Sequence, residues 1–174
     1  MNRIILIYGC VAGLIVSVLM LLFIPFGKED ANYDMGELLG YLGMFIALSM
    51  IFLAVYQQRK QQGGAISFGR AFLIGLGITI IAGIFYSTAW EIYLANTEAD
   101  FIQEYWGAML EKMESEGAPA AKIEETRQEM AMWADLYKNP LIRFGITLME
   151  ILPVGLLFSL TAAFVFKRKH QPSK

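Results

Sequence analysis

The chain has 174 residues, of which 56% are hydrophobic and only 17% are charged. Soluble domains carry about 25% charged residues, so this composition argues against a soluble globular protein. The net charge of −2 shows no basic excess, and we expect no nucleic-acid partner.

Four long apolar segments predict an all-α bundle of four membrane helices, because about 20 apolar residues in a helix cross the hydrocarbon of a bilayer. The predicted spans are residues 4–26, 37–56, 69–93 and 141–166. The first segment is longer than the apolar core of a secretory signal, and bulky Phe23 and Phe26 stand where such a signal has small residues. We therefore interpret it as a retained helix in a single integral membrane domain, residues 1–174, surrounded by the lipid bilayer.

Acidic and basic residues are segregated by these spans. None of the 16 acids precedes Glu29, lies between Glu37 and Glu91, or follows Glu150. Bases concentrate in the remaining connection and at the termini: Arg3, Arg59, Lys60, Arg70, Lys167, Arg168, Lys169 and Lys174. Since Lys and Arg near helix ends favour the cytoplasm, the pattern predicts that both termini are cytoplasmic.

The connection between the third and fourth spans, residues 97–139, predicts a helical hairpin. Apolar residues recur at helical spacing on both sides of Gly117. Gly117 suits the end of one helix, and Pro119 suits the first turn of the next. By the same charge rule, this hairpin is expected to be extracytoplasmic.

Local capping signals define the ends of several helices. Ser67 is expected to cap the third span, and Asn139–Pro140 to mark the start of the fourth. Thr97-x-x-Asp100 is a weak capping signal for the first arm of the hairpin. No strong breaker lies between Trp90 and Gly107, which leaves open a continuous helix from the third span into that arm.

The apolar stripe on the two arms has two interpretations. The commoner one is that the arms bury the stripe against each other. The other is that part of it stays exposed for a membrane or periplasmic protein partner or for a second protomer. Two helices cover each other incompletely, so both can hold. The candidate partner surface consists of Trp106, Met109, Met113, Trp133 and Tyr137.

Glycines recur along the first three spans, for example Gly9-x-x-x-Gly13 in the first and Gly75, Gly77 and Gly83 in the third. Small residues let membrane helices approach closely, either within one bundle or between two chains. Packing within the bundle is the interpretation that we favour.

Glu150 is the residue least easily explained by packing. It lies about nine residues inside the fourth span, so about 13 Å below the outer surface. A charge at that depth costs several kcal/mol, and Arg143 is expected to extend outward, away from it. Without a counter-charge, Glu150 is expected to be neutral at pH 7. Glu37 and Glu91, at the outer helix ends, fit an interfacial belt without a special role.

Counting depth along each span places Ser17, Ser49 and Thr79 near the level of Glu150, which predicts an intramembrane polar site. One interpretation is a small site that binds a proton or an ion. In the other, the hydroxyl groups bond their own preceding turns, and neutral Glu150 only donates or accepts a hydrogen bond across the bundle.

Motifs for enzymatic chemistry are absent from the sequence. There is one cysteine, Cys10, and one histidine, His170, so no set of side chains resembles a catalytic triad or a metal site. The glycines at 63–69 lack the Gly-Lys-Ser/Thr ending of a phosphate-binding loop. We expect no catalytic residues, no metal and no cofactor.

Three motifs together resemble a known family. They are Gly36-Glu37-x-x-Gly40-Tyr41, Gly64-x-Ile66-Ser67-Phe68-Gly69-x-Ala71-Phe72, and Pro153-Val154-Gly155-Leu156-Leu157 before a Lys/Arg tail. The chain is similar, over nearly its whole length, to the bacterial domain-of-unknown-function 4199 family of small integral membrane proteins. The resemblance implies four membrane helices and a bacterial inner-membrane location, and no activity.

Two functions follow as hypotheses. The first is a non-enzymatic interaction or assembly protein that uses the outer hairpin, either with a partner or as a homo-oligomer. The alternative is a small transporter or an ion- or proton-coupled protein that uses Glu150.

Overall fold

The computed structural model describes residues 2–28, 33–97 and 101–168, and the regular structure in these ranges is helical. Residues 98–100, which include part of the predicted Thr97-x-x-Asp100 cap, lie outside the described residues. The helices are α1 Asn2–Lys28, α2 Tyr33–Leu48, α3 Met50–Gln61, α4 Phe68–Asn96, α5 Phe101–Ser115, α6 Ala120–Tyr137 and α7 Pro140–Phe166.

Four segments are long and apolar enough to cross a membrane, which confirms the four predicted spans. They are Asn2–Ile24, Met35–Gln61, Phe68–Asn96 and Pro140–Phe166. The second combines α2 and α3, which are separated at Ser49. There the hydroxyl group donates to the carbonyl of Ile46 at 2.6 Å, and the amide of Phe52 bonds to the carbonyl of Ser49, three residues back, at 3.0 Å.

The helix ends follow the predicted capping chemistry. Ser67 is the N-cap of α4 and accepts a hydrogen bond from the amide of Arg70 at 3.4 Å. Asn139 caps α7 through the amide of Leu141, with proline in the first turn. Gly117 has φ of 76°, the left-handed conformation that ends α5.

The third span does not continue into α5 as one helix. It ends at Asn96, and Thr97 has the extended backbone angles φ −104° and ψ 129°. The Thr97 hydroxyl group donates instead to the carbonyl of Tyr93 at 2.9 Å. The continuous alternative is therefore wrong: the helix ends although residues 91–97 contain neither proline nor glycine.

The bundle is built around α4, which packs most extensively on α7 and α1. Its core contains Ile51, Ile74, Ile78 and Ile151, all with no exposed surface. Leucines and other large apolar side chains cover the outside of the spans: Leu6, Leu14, Leu22, Leu53, Leu73, Leu157 and Phe164. Such an apolar exterior suits hydrocarbon and would be unfavourable in water.

Glycines bring the spans close together within the chain. A Cβ added at Gly13 would lie 2.7 Å from Phe85, and one at Gly75 would lie 2.5 Å from the Ser159 hydroxyl oxygen. At Gly155 it would collide with Thr79. These glycines therefore pack inside the bundle, as predicted.

The α5–α6 pair is less well packed than the spans. The two helices contact each other, and α6 also contacts α7. Met130 of α6 is buried, whereas Met109, Met132, Trp133 and Leu136 remain exposed. Part of the apolar stripe is thus covered and part is not.

The end of the bundle next to this pair is called the α5–α6 end below, and the opposite end, with residues 57–70 and Arg168, is called the basic end.

The contact between Thr79 and Gly155 yields a test of this packing. We expect Gly155→Ala to lower the free energy of unfolding by about 1–3 kcal/mol, because the new methyl group has no room. Gly145→Ala in the same helix is the matched control: its methyl group meets nothing within 4 Å, so stability should stay equal or rise by up to about 1 kcal/mol. Thermal unfolding in detergent measures both. Equal effects of the two substitutions would contradict the close approach.

Candidate functional site

A cavity of about 400 Å³ lies between the four spans at the α5–α6 end. Its size is in the range of small-molecule sites. All four spans and α6 contribute to its lining: Met20, Phe23, Ile24, Gly36, Glu37, Gly40, Tyr41, Met44, Tyr86, Trp90, Tyr137, Thr147 and Glu150. Glu150 therefore faces a cavity rather than a packed interior.

Tyr86 is the hydrogen-bond partner of Glu150. Its hydroxyl oxygen lies 3.2 Å from Oε2 of Glu150, with the tyrosine as donor to the carboxyl group. The two residues belong to α4 and α7, which are held close by Gly83, where an added Cβ would lie 3.0 Å from Ile151. The packing of glycine one turn away thus sets the distance between the two polar side chains.

The lining of this cavity is acidic and aromatic. Glu37 of α2 supplies a second carboxyl group opposite Glu150. The aromatic rings are those of Phe23, Tyr41, Tyr86, Trp90 and Tyr137. The described lining residues include no Lys, Arg or His. Carboxyl groups and the faces of aromatic rings both attract cations, so the chemistry of this surface suits a positively charged ligand.

Arg143, the nearest predicted cation, is occupied by a different acid. Its guanidinium donates two hydrogen bonds to the carboxylate of Glu91, at 2.7 Å from Nε and 2.5 Å from the second nitrogen. A further nitrogen donates to the carbonyl of Tyr137 at 3.1 Å. Arg143 thus extends away from Glu150, as predicted, and the pair with Glu91 ties α4 to α7 at the α5–α6 end. The expectation that Glu91 has no special role missed this partner.

Tyr137 joins α6 to the cavity. Burial raises the pKa of its hydroxyl group above the ordinary value, so the group is neutral at physiological pH. Its hydroxyl group is placed against Trp90 and Thr147. Tyr137, which was predicted for the partner surface, thus lines the cavity.

The other predicted partner-surface residues have mixed exposure. Met109 and Trp133 are exposed, at 43% and 50%. Trp106 and Met113 are half-buried. The exposed part of this surface therefore centres on Trp133 and its neighbours on α6, Met132 and Leu136.

The predicted grouping of Glu150 with Ser17, Ser49 and Thr79 is corrected by the structure, since none of the three lines the cavity. Ser49 and Thr79 donate to carbonyls of their own helices, Ile46 and Gly75. The Ser17 hydroxyl group is buried and has no hydrogen-bond partner among the described residues.

Thr79 was grouped with Glu150 because depth was estimated separately in each span; counting residues from the end that α4 and α7 share gives a different partner. Tyr86 lies ten residues before Asn96, the end of α4, and Glu150 lies ten residues after Pro140, the start of α7. Thr79 is seven residues deeper than Tyr86, or about 10 Å along the axis. Counting from this shared end, rather than estimating the middle of each span, would have selected Tyr86.

The cavity is closed toward the basic end. Thr79 contacts Gly155, and Ser159 contacts Gly75 one turn further on, so α4 and α7 leave no space between them at these levels. Within the described residues, no group of three or more His, Cys, Asp or Glu side chains could hold a metal ion.

The pair of Arg143 and Glu91 can be tested against an exposed ion pair. The side chains of Arg143 and Glu91 are only 18% and 22% exposed, so Arg143→Gln leaves a half-buried carboxylate and should cost about 1.5–3 kcal/mol of unfolding free energy. Lys138→Gln breaks the pair with Asp135, whose side chains are both 77% exposed, and should cost about 0–1 kcal/mol.

Unfolding in detergent, followed by circular dichroism, compares the two variants. The double variant Glu91→Gln/Arg143→Gln should recover part of the loss, because no unpaired charge remains. A loss for Arg143→Gln no larger than that for Lys138→Gln would contradict a structural role for the pair.

The comparisons with known proteins identify a family and add no activity. A family model described as "Protein of unknown function (DUF4199)" matches residues 7–168. Neither a curated protein nor a solved structure matches the chain. The match covers all seven helices almost completely, including the residues of the cavity. The chain therefore belongs to the domain-of-unknown-function 4199 family.

Proposed function

We propose that this chain is a non-enzymatic protein of the bacterial inner membrane that binds a small cation in the cavity between its four spans. The observation that carries the proposal is the cavity itself, with carboxyl groups of Glu37 and Glu150, five aromatic rings and no basic residue in its described lining. The proposal develops the interpretation in which Glu150 binds a proton or an ion.

The orientation in the membrane follows from the charges. The connection at 57–70 and the tail after Phe166 carry bases and no acids, whereas the connection at 97–139 carries most of the acids. By the positive-inside rule, the basic end faces the cytoplasm, and the α5–α6 end, with the cavity, faces outward.

Cysteine labelling of intact cells tests the orientation. With Cys10 replaced by Ala, Gly117→Cys should react with a membrane-impermeant maleimide, whereas Lys60→Cys should react only after the cells are opened. Both positions are exposed, so differences in burial do not confuse the result. The reverse labelling pattern would overturn the orientation.

A small organic cation fits the cavity better than a neutral ligand does. Ring faces of Tyr and Trp attract a cation by about 0.5–2 kcal/mol each, and more when water is excluded. The tyrosine hydroxyl of Tyr86 holds Glu150 in place by donating to it. Arg143, near the start of α7, is engaged with Glu91 and does not compete for the ligand.

The geometry favours binding over passage through the protein. A path to the basic end would require α4 and α7 to separate where Thr79 contacts Gly155. Glycine contacts of this kind are stable helix interfaces in membranes. The cavity is therefore proposed as a receptor or sensor site open to the α5–α6 end, and transport is the less favoured version.

Assembly through the α5–α6 pair is the second candidate function. The exposed side chains of Met132 and Trp133 both neighbour that of Leu136 on α6, since Leu136 follows them by four and three residues. Trp is enriched in the central contacts of protein interfaces. The proposed occupant of this face is a second copy of the chain.

Two sets of variants separate the candidates. In the cation-binding proposal, tetramethylammonium binds the purified protein in calorimetry, and Glu150→Gln weakens binding at least about tenfold, equivalent to about 1.4 kcal/mol. The substitution keeps an oxygen that can accept the hydrogen bond from Tyr86. Neutral tert-butanol, which is similar in size, should bind more weakly than the cation.

Glu129→Gln on exposed α6 is the control for the loss of one carboxyl group and should leave binding unchanged. If assembly through α6 is correct, Trp133→Ala/Leu136→Ala lowers the molecular mass by light scattering, and Glu150→Gln does not. Tetramethylammonium binding that is absent, or equal in wild type and Glu150→Gln, would reject the cation site. A wild-type monomer would reject assembly.

A further inference from the structure

A second cavity, at the basic end, has the opposite charge. It has a volume of about 810 Å³ and lies between the start of α4 and the end of α7. Its lining residues are Gln62, Ala65, Ile66, Ser67, Phe68, Arg70, Lys167 and Arg168. Two arginines and one lysine therefore face one space, and they come from two spans that are distant in sequence.

Backbone contacts fix the walls of this basic cavity. The amide of Arg168 donates to the carbonyl of Ile66 at 3.0 Å, which joins the end of α7 to the start of α4. In the same connection, Nε of Arg59 donates to the carbonyl of Gly64 at 2.8 Å. Gly64 has φ of 91°, a conformation that other residues rarely adopt. The bases are thus presented by a defined turn.

Aromatic contacts also hold the walls of the basic cavity in place. The rings of Phe68 and Phe164 meet edge to face, with centroids 5.0 Å apart, across α4 and α7. The ammonium nitrogen of Lys167 lies 4.8 Å from the centroid of the Phe164 ring. Lys167 is therefore held at the edge of the apolar surface, where lipid chains end and headgroups begin if the spans cross a bilayer.

No carboxylate side chain is available to neutralise these bases from the segments that form this end. The whole sequence has no Asp or Glu between Glu37 and Glu91 and none after Glu150. The described ion pairs all lie elsewhere, in α4, α6 and α7 near the α5–α6 end. Arg70, Lys167 and Arg168 are therefore free of a neighbouring acidic side chain from these segments and present a positive surface to an anion.

The start of α4 adds a favourable field for an anion. Ser67 caps the amide of Arg70, whereas the first two amides of the helix, at Phe68 and Gly69, have no acceptor within the helix. Ser67 and Phe68, at this start of the helix, both line the basic cavity. Helix N-termini favour anions, and arginine binds phosphate through two parallel hydrogen bonds.

We propose that the basic cavity is a binding site for a phosphate group, held by Arg70 and Arg168 with Lys167 at its edge. The phosphate comes either from the headgroup of an anionic lipid or from a free phosphate ion, which share the same chemistry. This site is independent of the cation cavity, since the two lie at opposite ends of α4 and share no lining residue.

The test compares two double variants: one removes two positive charges from the lining of the basic cavity, and the other removes two from outside it. Arg70→Gln/Arg168→Gln is compared with Arg3→Gln/Lys60→Gln, which removes the same charge from exposed residues outside the lining. Each full-length protein is purified in an uncharged detergent. Native mass spectrometry then measures the binding of dioleoyl phosphatidylglycerol, with diolein as the lipid that lacks phosphate, and calorimetry measures the binding of inorganic phosphate.

The cavity variant should bind phosphatidylglycerol at least about tenfold more weakly than wild type, while the control variant changes less than about threefold. Tight lipid binding with weak inorganic phosphate binding identifies a lipid source, and the reverse identifies a free ion; either supports the site. The single variant Arg70→Gln, with unchanged helix content by circular dichroism, should show an intermediate loss and guards against misfolding of the double variant.

Equal losses in the cavity and control variants would show diffuse attraction and overturn the proposal. Phosphatidylglycerol binding no tighter than diolein binding, together with no binding of inorganic phosphate, would overturn it as well.

Discussion

The register between α4 and α7 is the constraint on which the other features depend. The same antiparallel pairing joins Ile66 to Arg168, Gly75 to Ser159, Thr79 to Gly155, Gly83 to Ile151, and Glu91 to Arg143. Small residues make close approach feasible at the centre, and polar pairs end the contact at both sides. Tyr86 and Glu150 meet because they lie between two of these pairs. Both cavities are bounded by this one interface, so a shift of a single helical turn would dismantle both.

The charged side chains that line each cavity are of one sign. Near the α5–α6 end, Glu91 is neutralised by Arg143, but Glu37 and Glu150 share a space without a described base. At the basic end, no acidic side chain exists in the segments that supply Arg70, Lys167 and Arg168. The same segregation that predicts the orientation in the membrane also gives the two ends of the bundle opposite charge.

Features set by neighbouring residues were predictable from the sequence, and features set by the register were not. The four spans, the caps at Ser67 and Asn139 and the turn at Gly117 follow from local composition and backbone preference. The outward direction of Arg143 follows from the tilt of Cα–Cβ bonds in a helix. Its pairing with Glu91, like that of Tyr86 with Glu150, needs the relative height of two helices. The grouping with Thr79 failed for this reason, since depth was judged separately in each span.

The distance in sequence between α4 and α7 also sets the order in which the protein can be assembled during translation. α1 to α4 contain a set of mutual contacts and are synthesised first, whereas α7 follows only after α5 and α6. Until then the groove of α4 that holds Gly75, Thr79 and Gly83 is uncovered, and Glu91 has no arginine. The incomplete bundle therefore exposes a helix face of small residues, a kind of surface against which other helices pack closely. The α5–α6 segment lies between α4 and α7 in the chain, so its length sets how long that face stays uncovered during translation.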